Sequence, residues 1–239
     1  MAGERYCTAN PIYRTGRRMS EIIESCSECG PLSCYRRDKS APSFCLTEAA
    51  DPQVVTEIVE YLQGENLDAR MARAAAEIEG MYYCKATRVE ETVLFAKRIG
   101  AKLVGVATCR GLIQEARTFV KVLRANGLEA FTVVCKIGSV DKTEIGVADD
   151  VKIEKGSYEA MCNPILQAKT LNAQKTDLNV LVGLCVGHDS LFIKNSEAPV
   201  TTLVVKDRVL GHNPVAALYE THSYYRRLLA QLNDPEEKS

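Results

Sequence analysis

Four short apolar runs alternate with helical patterns from residue 86 onward, and this alternation is what most constrains the fold. The runs cover residues 102–108, 129–134, 179–184 and 200–205. Continuous apolar runs of this length are typical of strands that are buried on both faces of a parallel sheet. The helical segments between them would serve as crossover connections. The sequence therefore predicts an α/β fold with a parallel, doubly wound (Rossmann-like) sheet of about four strands.

Capping signals mark several helix starts. Thr87 and Glu90 form a capping-box pattern, and Asp51-Pro52 and Asn163-Pro164 each pair an N-cap residue with a proline in the first turn. After the last apolar run, Pro214 begins a segment that predicts a terminal helix reaching about Leu232. These signals place helices before the first strand, before the third and after the fourth.

The first 50 residues differ from the rest, because they are polar, irregular and rich in cysteine. Cys26, Cys29, Cys34 and Cys45 have the spacing C-x2-C-x4-C-x10-C. A short polar segment has little core of its own, and a bound metal would supply the missing stability. Four thiolates suit tetrahedral zinc or an iron–sulfur cluster. We therefore divide the chain into a metal-binding segment (1–50), a helical connection (51–85) and an α/β domain (86–239).

A second group of cysteines lies at the ends of the predicted strands. Cys109, Cys135 and Cys185 directly follow three of the four apolar runs, and Cys162 precedes the helix that leads into the third. Because the carboxyl ends of parallel strands lie at one edge of a sheet, these four thiols are expected to converge there. Cysteines that only fill the core would occur within strands and on helix faces as often as at strand ends. The pattern therefore predicts a second thiolate site, with Cys109, Cys135, Cys162 and Cys185 as metal ligands.

Two further residues are candidates for catalysis at this edge. His188 follows Cys185 within the segment Gly-Leu-Cys-Val-Gly-His-Asp, and Lys206 begins a Lys-Asp-Arg sequence after the fourth run. His188 would handle a proton of a bound substrate, or act as the base for a Cys185 nucleophile. Lys206 would anchor a substrate. Both also have simpler interpretations, a structural histidine and a solvated strand end.

Composition excludes several classes of protein. The formal net charge is −1, with acidic and basic residues mixed throughout, so no basic surface for nucleic acid is expected. No apolar run approaches the ~20 residues that span a bilayer, and the first 20 residues do not resemble a secretory signal. We therefore expect a cytoplasmic protein that binds neither nucleic acid nor membrane. In that compartment ten cysteines indicate metal binding or thiol chemistry rather than disulfides.

Several of these segments resemble a known family. The resemblance rests on Met161-Cys-Asn-Pro with Gln167 and Asn172, on Gly183-Leu-Cys-Val-Gly-His-Asp-Ser-Leu-Phe192, on Lys206-Asp-Arg-Val-Leu with His212-Asn-Pro214, and on the N-terminal cysteines. It covers nearly the whole chain. The family is an uncharacterised, cysteine-rich domain of unknown function in bacteria and archaea, labelled only as metal-binding. The resemblance thus implies metal binding, but it names no substrate or reaction, and it does not assign Cys7 or Cys84.

Three functions follow from these patterns. The first is a protein with two thiolate sites, holding iron–sulfur clusters ([4Fe–4S] at the sheet edge) and/or zinc, which acts with a redox partner or on a small-molecule substrate. The second is a zinc-stabilised binding module without catalysis. The third is a metal-independent thiol enzyme that uses Cys185 and His188. Whether the protein is an enzyme stays open at the level of sequence.

Overall fold

A computed structural model describes residues 24–230 and residue 232. The chain divides into two compact units, with the boundary between Arg70 and Met71. The division of the sequence into three parts at residues 50 and 85 stays a prediction. Cys7 and the last residues of the chain lie outside the described part.

The described residues form eight α-helices and four strands. The helices are α1 (Leu46–Ala49), α2 (Pro52–Gln63), α3 (Leu67–Tyr82), α4 (Arg88–Arg98), α5 (Ile113–Ala125), α6 (Pro164–Ala173), α7 (His188–Asn195) and α8 (Val215–Tyr219). The strands are β1 (Leu103–Thr108), β2 (Glu129–Val134), β3 (Leu178–Val182) and β4 (Val200–Val204). No helix among these residues is both long and apolar enough to cross a membrane.

All four strands are parallel and lie in the order β2-β1-β3-β4. The connection from β1 runs outward to β2, whereas the connection from β2 crosses back over β1 to reach β3. Right-handed crossovers therefore place α5 on one face and α6 and α7 on the other. This confirms the predicted α/β fold with a parallel sheet of four strands. It also creates a switch point between β1 and β3, where crevices open at the carboxyl edge of such sheets.

The core lies on both faces of this sheet. Alternate residues of β1 point to opposite sides, so Val104 and Val106 belong to one face and Ala107 to the other, and all three are fully buried. Ala107 joins a cluster that contains Leu171 of α6, Phe192 of α7 and Cys135. The apolar runs are therefore continuous because both faces of the central strands exclude water.

A buried asparagine fixes the contact between β1 and β3. Asn179 of β3 is fully buried; its Oδ1 accepts from Thr176 Oγ1 at 2.8 Å and its Nδ2 donates to Ser196 Oγ at 2.8 Å. Gly105 is its register partner on β1. A Cβ at Gly105 would lie 2.0 Å from Asn179 Oδ1. Glycine is therefore required here by the close approach of the amide.

The caps predicted from the sequence occur in the structure, but the long terminal helix does not. Thr87 and Glu90 form the capping box of α4, and Asn163 caps α6 through Leu166 N. After α8, the chain makes turns and one 3-10 turn at Arg226–Leu229. Residues 221–223, Thr-His-Ser, have low helix propensity, and Leu218 and Leu229 remain exposed. Without buried packing, nothing offsets the cost of continuing the helix.

Gly105→Ala should lower the free energy of unfolding by about 1–3 kcal/mol, because the new methyl group forces the Asn179 amide out of its buried hydrogen bonds. Gly80→Ala is the matched control. No atom lies within 4 Å of a Cβ placed at Gly80 in α3, so alanine there should stabilise by up to about 1 kcal/mol. Urea denaturation measures both changes; equal effects of the two substitutions would contradict the close-approach argument.

Candidate functional site

The hydrogen-bond ladder of the sheet places two of the predicted cysteines side by side. Cys109 follows β1 and Cys135 follows β2. Cys109 N donates to Val182 O at 3.2 Å, and Cys135 N donates to Thr108 O at 2.9 Å. The ladder thus extends one residue beyond each strand, so both thiols lie at the carboxyl edge.

Cys162 reaches the same place through the long connection that follows β2. Asn163 N donates to Cys135 O at 2.7 Å, and Met161 N donates to Val140 O at 2.7 Å. Lys136 Nζ also donates to Ala160 O. The connection therefore leaves from Cys135 and returns to it, which brings Cys162 against Cys135.

An ion cluster formed by Lys152, Asp141 and Asp149 stabilises the conformation of this connection. The buried Lys152 ammonium lies 3.1 Å from Asp141 Oδ1 and 2.9 Å from Asp149 Oδ1, and it donates to Ser157 O at 2.9 Å. Lys142 forms a second ion pair with Glu159. The backbone N–H and hydroxyl of Thr143 donate to Asp141, which holds the pKa of that carboxyl well below its usual range. The Lys152 side chain lowers the pKa of Asp149.

The sulfurs of Cys109, Cys135 and Cys162 form a chain of hydrogen bonds with Cys135 in the middle. Cys135 is 2% exposed, and its Sγ also accepts from Arg110 N at 3.4 Å. Its two thiol neighbours raise the pKa of Cys135, so it keeps its proton. The hydrogen bond with Cys135 lowers the pKa of Cys109 to about 5. The outer sulfurs are therefore the ones that ionise.

His188 extends this chain from the other side. Hydrogen bonds with Cys135 and His188 lower the pKa of Cys162 to about 4, and the hydrogen bond with Cys162 raises the pKa of His188. This is the signature of a thiolate–imidazolium pair. The sequence pairs His188 with Cys185, whereas the structure pairs it with Cys162. His188 N donates to Cys185 O at 3.0 Å, so the two share a turn through the backbone, while the ring reaches Cys162.

Cys185, the fourth predicted ligand, has a different partner. Arg208 Nη2 donates to Cys185 Sγ at 2.9 Å, and this contact raises the pKa of Arg208. Arg208 also interacts electrostatically with Cys109 and Cys162, so Cys185 borders the sulfur chain. Lys206 lies near Cys109, where its charge helps to lower the pKa of that thiol. The structure thus brings all four sheet-edge cysteines, His188 and Lys206 into one neighbourhood.

Three contributors were not among the predicted site residues. Arg208 was visible in the sequence only as part of a charged strand end. His212 braces the loop that carries it: Asp207 N donates to His212 Nδ1 at 3.1 Å. Gln167 is fully buried on α6 and donates to Thr108 O at 3.2 Å and Val133 O at 2.7 Å, which ties together the ends of β1 and β2. The signal available in the sequence was the position of Gln167 at helical spacing with the apolar residues Ala168 and Leu171.

The N-terminal cysteines lie at two places in the first unit, a turn and a cavity. Cys26 and Cys29 share one 3-10 turn, in which Cys29 N donates to Cys26 O at 3.3 Å. Cys34 and Cys45 line a cavity of about 340 Å³ together with Arg37 and Lys39. Convergence of these four cysteines on one ion stays a prediction.

The donor chemistry of the sheet-edge site fits a soft metal, but the side chains are arranged as hydrogen-bonded thiols. Every cysteine in the described part of the chain is free of disulfide bonds. Within that part, no group of three or more His, Cys, Asp or Glu side chains is positioned to hold a metal ion. Metal binding would remove the proton that Cys135 shares with its neighbours, and the sulfurs would then have to turn toward the ion.

The fold and the site define an α/β protein with a cluster of thiols at the switch point of a parallel sheet. The chain belongs to the family described as "Protein of unknown function (DUF1847)", whose model matches residues 45–203. It is 43% identical over 205 residues to the "Uncharacterized protein MJ0455" of Methanocaldococcus jannaschii, an alignment that covers 85% of this chain and 97% of that protein. No solved structure matches the chain.

Lys152→Met should open the segment that delivers Cys162, because it leaves the carboxylates of Asp141 and Asp149 without their shared cation. We expect protease cleavage between residues 140 and 160 to become at least about tenfold faster. Lys155→Met, which removes an exposed lysine from the same segment, is the control and should have little effect.

The same segment should be sensitive to acid. The folded pKa values of Asp141, Asp149 and Glu159 are depressed, so their contribution to stability is present above about pH 4 and is lost as the pH falls through the folded values. Amide hydrogen exchange between residues 140 and 160 should accelerate below that pH before exchange in β1 and β3 does. Simultaneous loss of protection in all three regions would contradict the ion-cluster argument.

The Cys162 thiol of reduced, metal-free protein should alkylate with a pH midpoint near its lowered pKa of about 4. His188→Gln removes the imidazolium, so the midpoint should rise by about one unit or more. Iodoacetamide labelling followed by peptide mass spectrometry reports each cysteine separately. The pH profile of Cys84, in the turn after α3, is the internal control. An unchanged Cys162 midpoint in the variant would refute the thiolate–imidazolium pair.

Proposed function

We propose that the cysteine cluster at the carboxyl edge of the sheet, drawn from Cys109, Cys135, Cys162 and Cys185, is a thiolate metal centre that holds a [4Fe–4S] cluster. The N-terminal cysteines Cys26, Cys29, Cys34 and Cys45 would form a second thiolate site, for zinc or iron–sulfur. Bound at the sheet edge, such a cluster supplies either electron transfer to a redox partner or a Lewis-acidic iron beside His188 and Lys206.

One observation carries this proposal: sulfurs from distant parts of the chain meet in a hydrogen-bonded chain at the switch point. Cys135 is almost fully buried, yet its neighbours lower the pKa of Cys109 and Cys162 to about 5 and about 4. Inert core cysteines behave as small apolar groups and are not gathered in this way. Clustered, ionised thiols select soft metals over hard cations.

The surrounding cations support the same proposal. Lys136, Lys206 and Arg208 all interact electrostatically with the sulfurs. An iron–sulfur cluster with thiolate ligands carries net negative charge, which nearby cations would balance. Burial and hydrogen bonds to sulfur are the means by which a protein sets the potential of such a cluster.

Protein purified without oxygen should contain iron and acid-labile sulfide in nearly equal amounts and absorb in the visible range. Cys109→Ser should reduce the iron and sulfide bound at the sheet edge at least about tenfold, since replacing a ligand weakens a metal site strongly. Cys84→Ser is the control and should leave both unchanged. A colourless protein with stoichiometric zinc and no sulfide would refute the iron–sulfur proposal and favour a zinc-stabilised binding module.

A second candidate function is a metal-independent thiol enzyme, and the pairing of Cys162 with His188 favours it. Such a pair supplies an activated nucleophile and a proton carrier. The nucleophile would then be Cys162, in place of the Cys185 expected from sequence. The two candidates differ in the protein as isolated: a metal ligand is protected from alkylation until the metal is removed, whereas a free nucleophile reacts at once. Rapid labelling of Cys162 in protein that retains its full metal content would favour the thiol enzyme.

A further inference from the structure

Two of the sheet-edge thiols are neighbours across the parallel pair of β1 and β2. Ala107 and Val133 are register partners in that pair, and both belong to one buried cluster on the sheet face that α6 and α7 cover. Cys109 and Cys135 come two residues later on each chain, so their side chains return to the same face. Cys135 is a member of that cluster and Cys109 packs against it. The two thiols therefore lie side by side.

The carboxyl ends of these two strands are held at a fixed separation. The Gln167 side chain donates to Thr108 O at 3.2 Å and to Val133 O at 2.7 Å, so one buried amide spans both strands. Cys135 N also donates to Thr108 O at 2.9 Å. Paired strands lie about 4.8 Å apart, within the range of about 4.4–6.8 Å between the Cα atoms of a disulfide. A bond between the two sulfurs is therefore within reach.

Such a bond would be strained. Side chains of register partners in parallel strands point the same way, so the Cβ atoms also stand about 4.8 Å apart, farther than the typical distance of about 3.8 Å across a disulfide. Strained disulfides are reduced more easily than structural ones. The pair therefore suits a reversible bond rather than a permanent cross-link.

The surroundings give the two thiols different parts in thiol exchange. Cys109 is partly exposed whereas Cys135 is 2% exposed, so an oxidant from solution meets Cys109 first. A Cβ at Gly111 would lie 3.9 Å from Cys109 Sγ and 3.5 Å from Lys206 Nζ, so an ammonium and the first thiol flank this glycine. Arg110 N donates to Cys135 Sγ at 3.4 Å, which favours negative charge on the second sulfur when it attacks.

We propose that Cys109 and Cys135 form a reversible dithiol–disulfide couple, which a small-molecule disulfide of the glutathione class oxidises in the metal-free protein. The Cys109 thiolate attacks one sulfur of that molecule, forms a mixed disulfide and releases a first thiolate. Cys135 then attacks Cys109 Sγ, which closes the protein disulfide and releases a second thiolate. Overall the protein loses two electrons and two protons, and both go to the small-molecule disulfide, which becomes two thiols.

The couple does not require the proposed metal centre, but it would regulate that centre. The disulfide removes two of the thiolates from which the centre is drawn, so only reduced protein could take up metal at the sheet edge. That consequence rests on the proposed function, whereas the disulfide itself does not.

Glutathione disulfide, added to reduced, chelator-treated full-length protein, tests the couple. Trypsin places Cys109 in peptide 103–110 and Cys135 in peptide 125–136, each with a single cysteine. Mass spectrometry without reduction should find these two peptides joined, and excess reduced glutathione should separate them. Cys84→Ser is the matched control and should form the same cross-link to the same extent.

Two variants test the order of attack. In Cys135→Ala, which keeps an apolar side chain at the buried position, the mixed disulfide between Cys109 and glutathione should persist at least about tenfold longer than in wild type, because no neighbouring thiol displaces it. In Cys109→Ser, oxidation of the buried Cys135 should be at least about tenfold slower. Circular dichroism shows whether each variant is folded.

The failures are distinguishable. Wild-type protein that gains only glutathione adducts, or that mainly joins peptide 125–136 to peptide 156–169, which carries Cys162, would overturn the couple. A cross-link that excess reduced glutathione does not open would overturn its reversibility. Protein that forms the reversible disulfide but binds no metal after reduction would overturn the metal centre and leave the couple intact.

Discussion

The order of the four parallel strands brings the thiols of Cys109, Cys135 and Cys185 to one edge of the sheet. β1 and β3 are neighbours, but the connections that leave them run in opposite directions, which is the arrangement that opens a crevice at the carboxyl edge of such sheets. Cys109 and Cys135 directly follow β1 and β2, and Cys185 lies three residues after the last residue of β3, Val182. The hydrogen-bond ladder that extends past the strands then fixes the spacing of the first two thiols.

The position of Cys162 depends on a different kind of constraint. Twenty-six residues separate it from Cys135, and the connection between them has no long helix or strand. Holding such a segment costs conformational entropy, which the bridge between Asp141 and Ala160 and the ions around Lys152 offset. Because a buried ammonium is costly unless it is paired, Lys152 also specifies one arrangement of the segment. The position of the Cys162 thiol therefore depends on the ion cluster around Lys152, which lies elsewhere in the same connection.

Much of this arrangement could be predicted from the sequence, because it follows from local patterns. Apolar runs of strand length, the capping box at Thr87 and the Asn163-Pro164 start of α6 each have one dominant physical interpretation. Once the strands are parallel, cysteines that follow them must lie at one edge. The partner of His188 was beyond this reasoning, since a separation of three residues from Cys185 does not determine which way the ring points. The prediction of a long terminal helix was wrong for a related reason. Its apolar pattern indicated a buried face, but Leu218 and Leu229 remain exposed in the structure.

The sequence by itself determined the class of fold, the helix starts and the edge at which the sheet-edge thiols gather, because these depend on periodicity and chain direction. Only the tertiary structure decided how those thiols are used. Hydrogen bonds with Cys109 and Cys162 raise the pKa of Cys135, hydrogen bonds with Cys135 and His188 lower the pKa of Cys162, and a loop braced by His212 sets Arg208 against Cys185. Each of these contacts depends on residues that are distant along the chain or on the rotamer that a side chain adopts. Local sequence patterns determine neither of these.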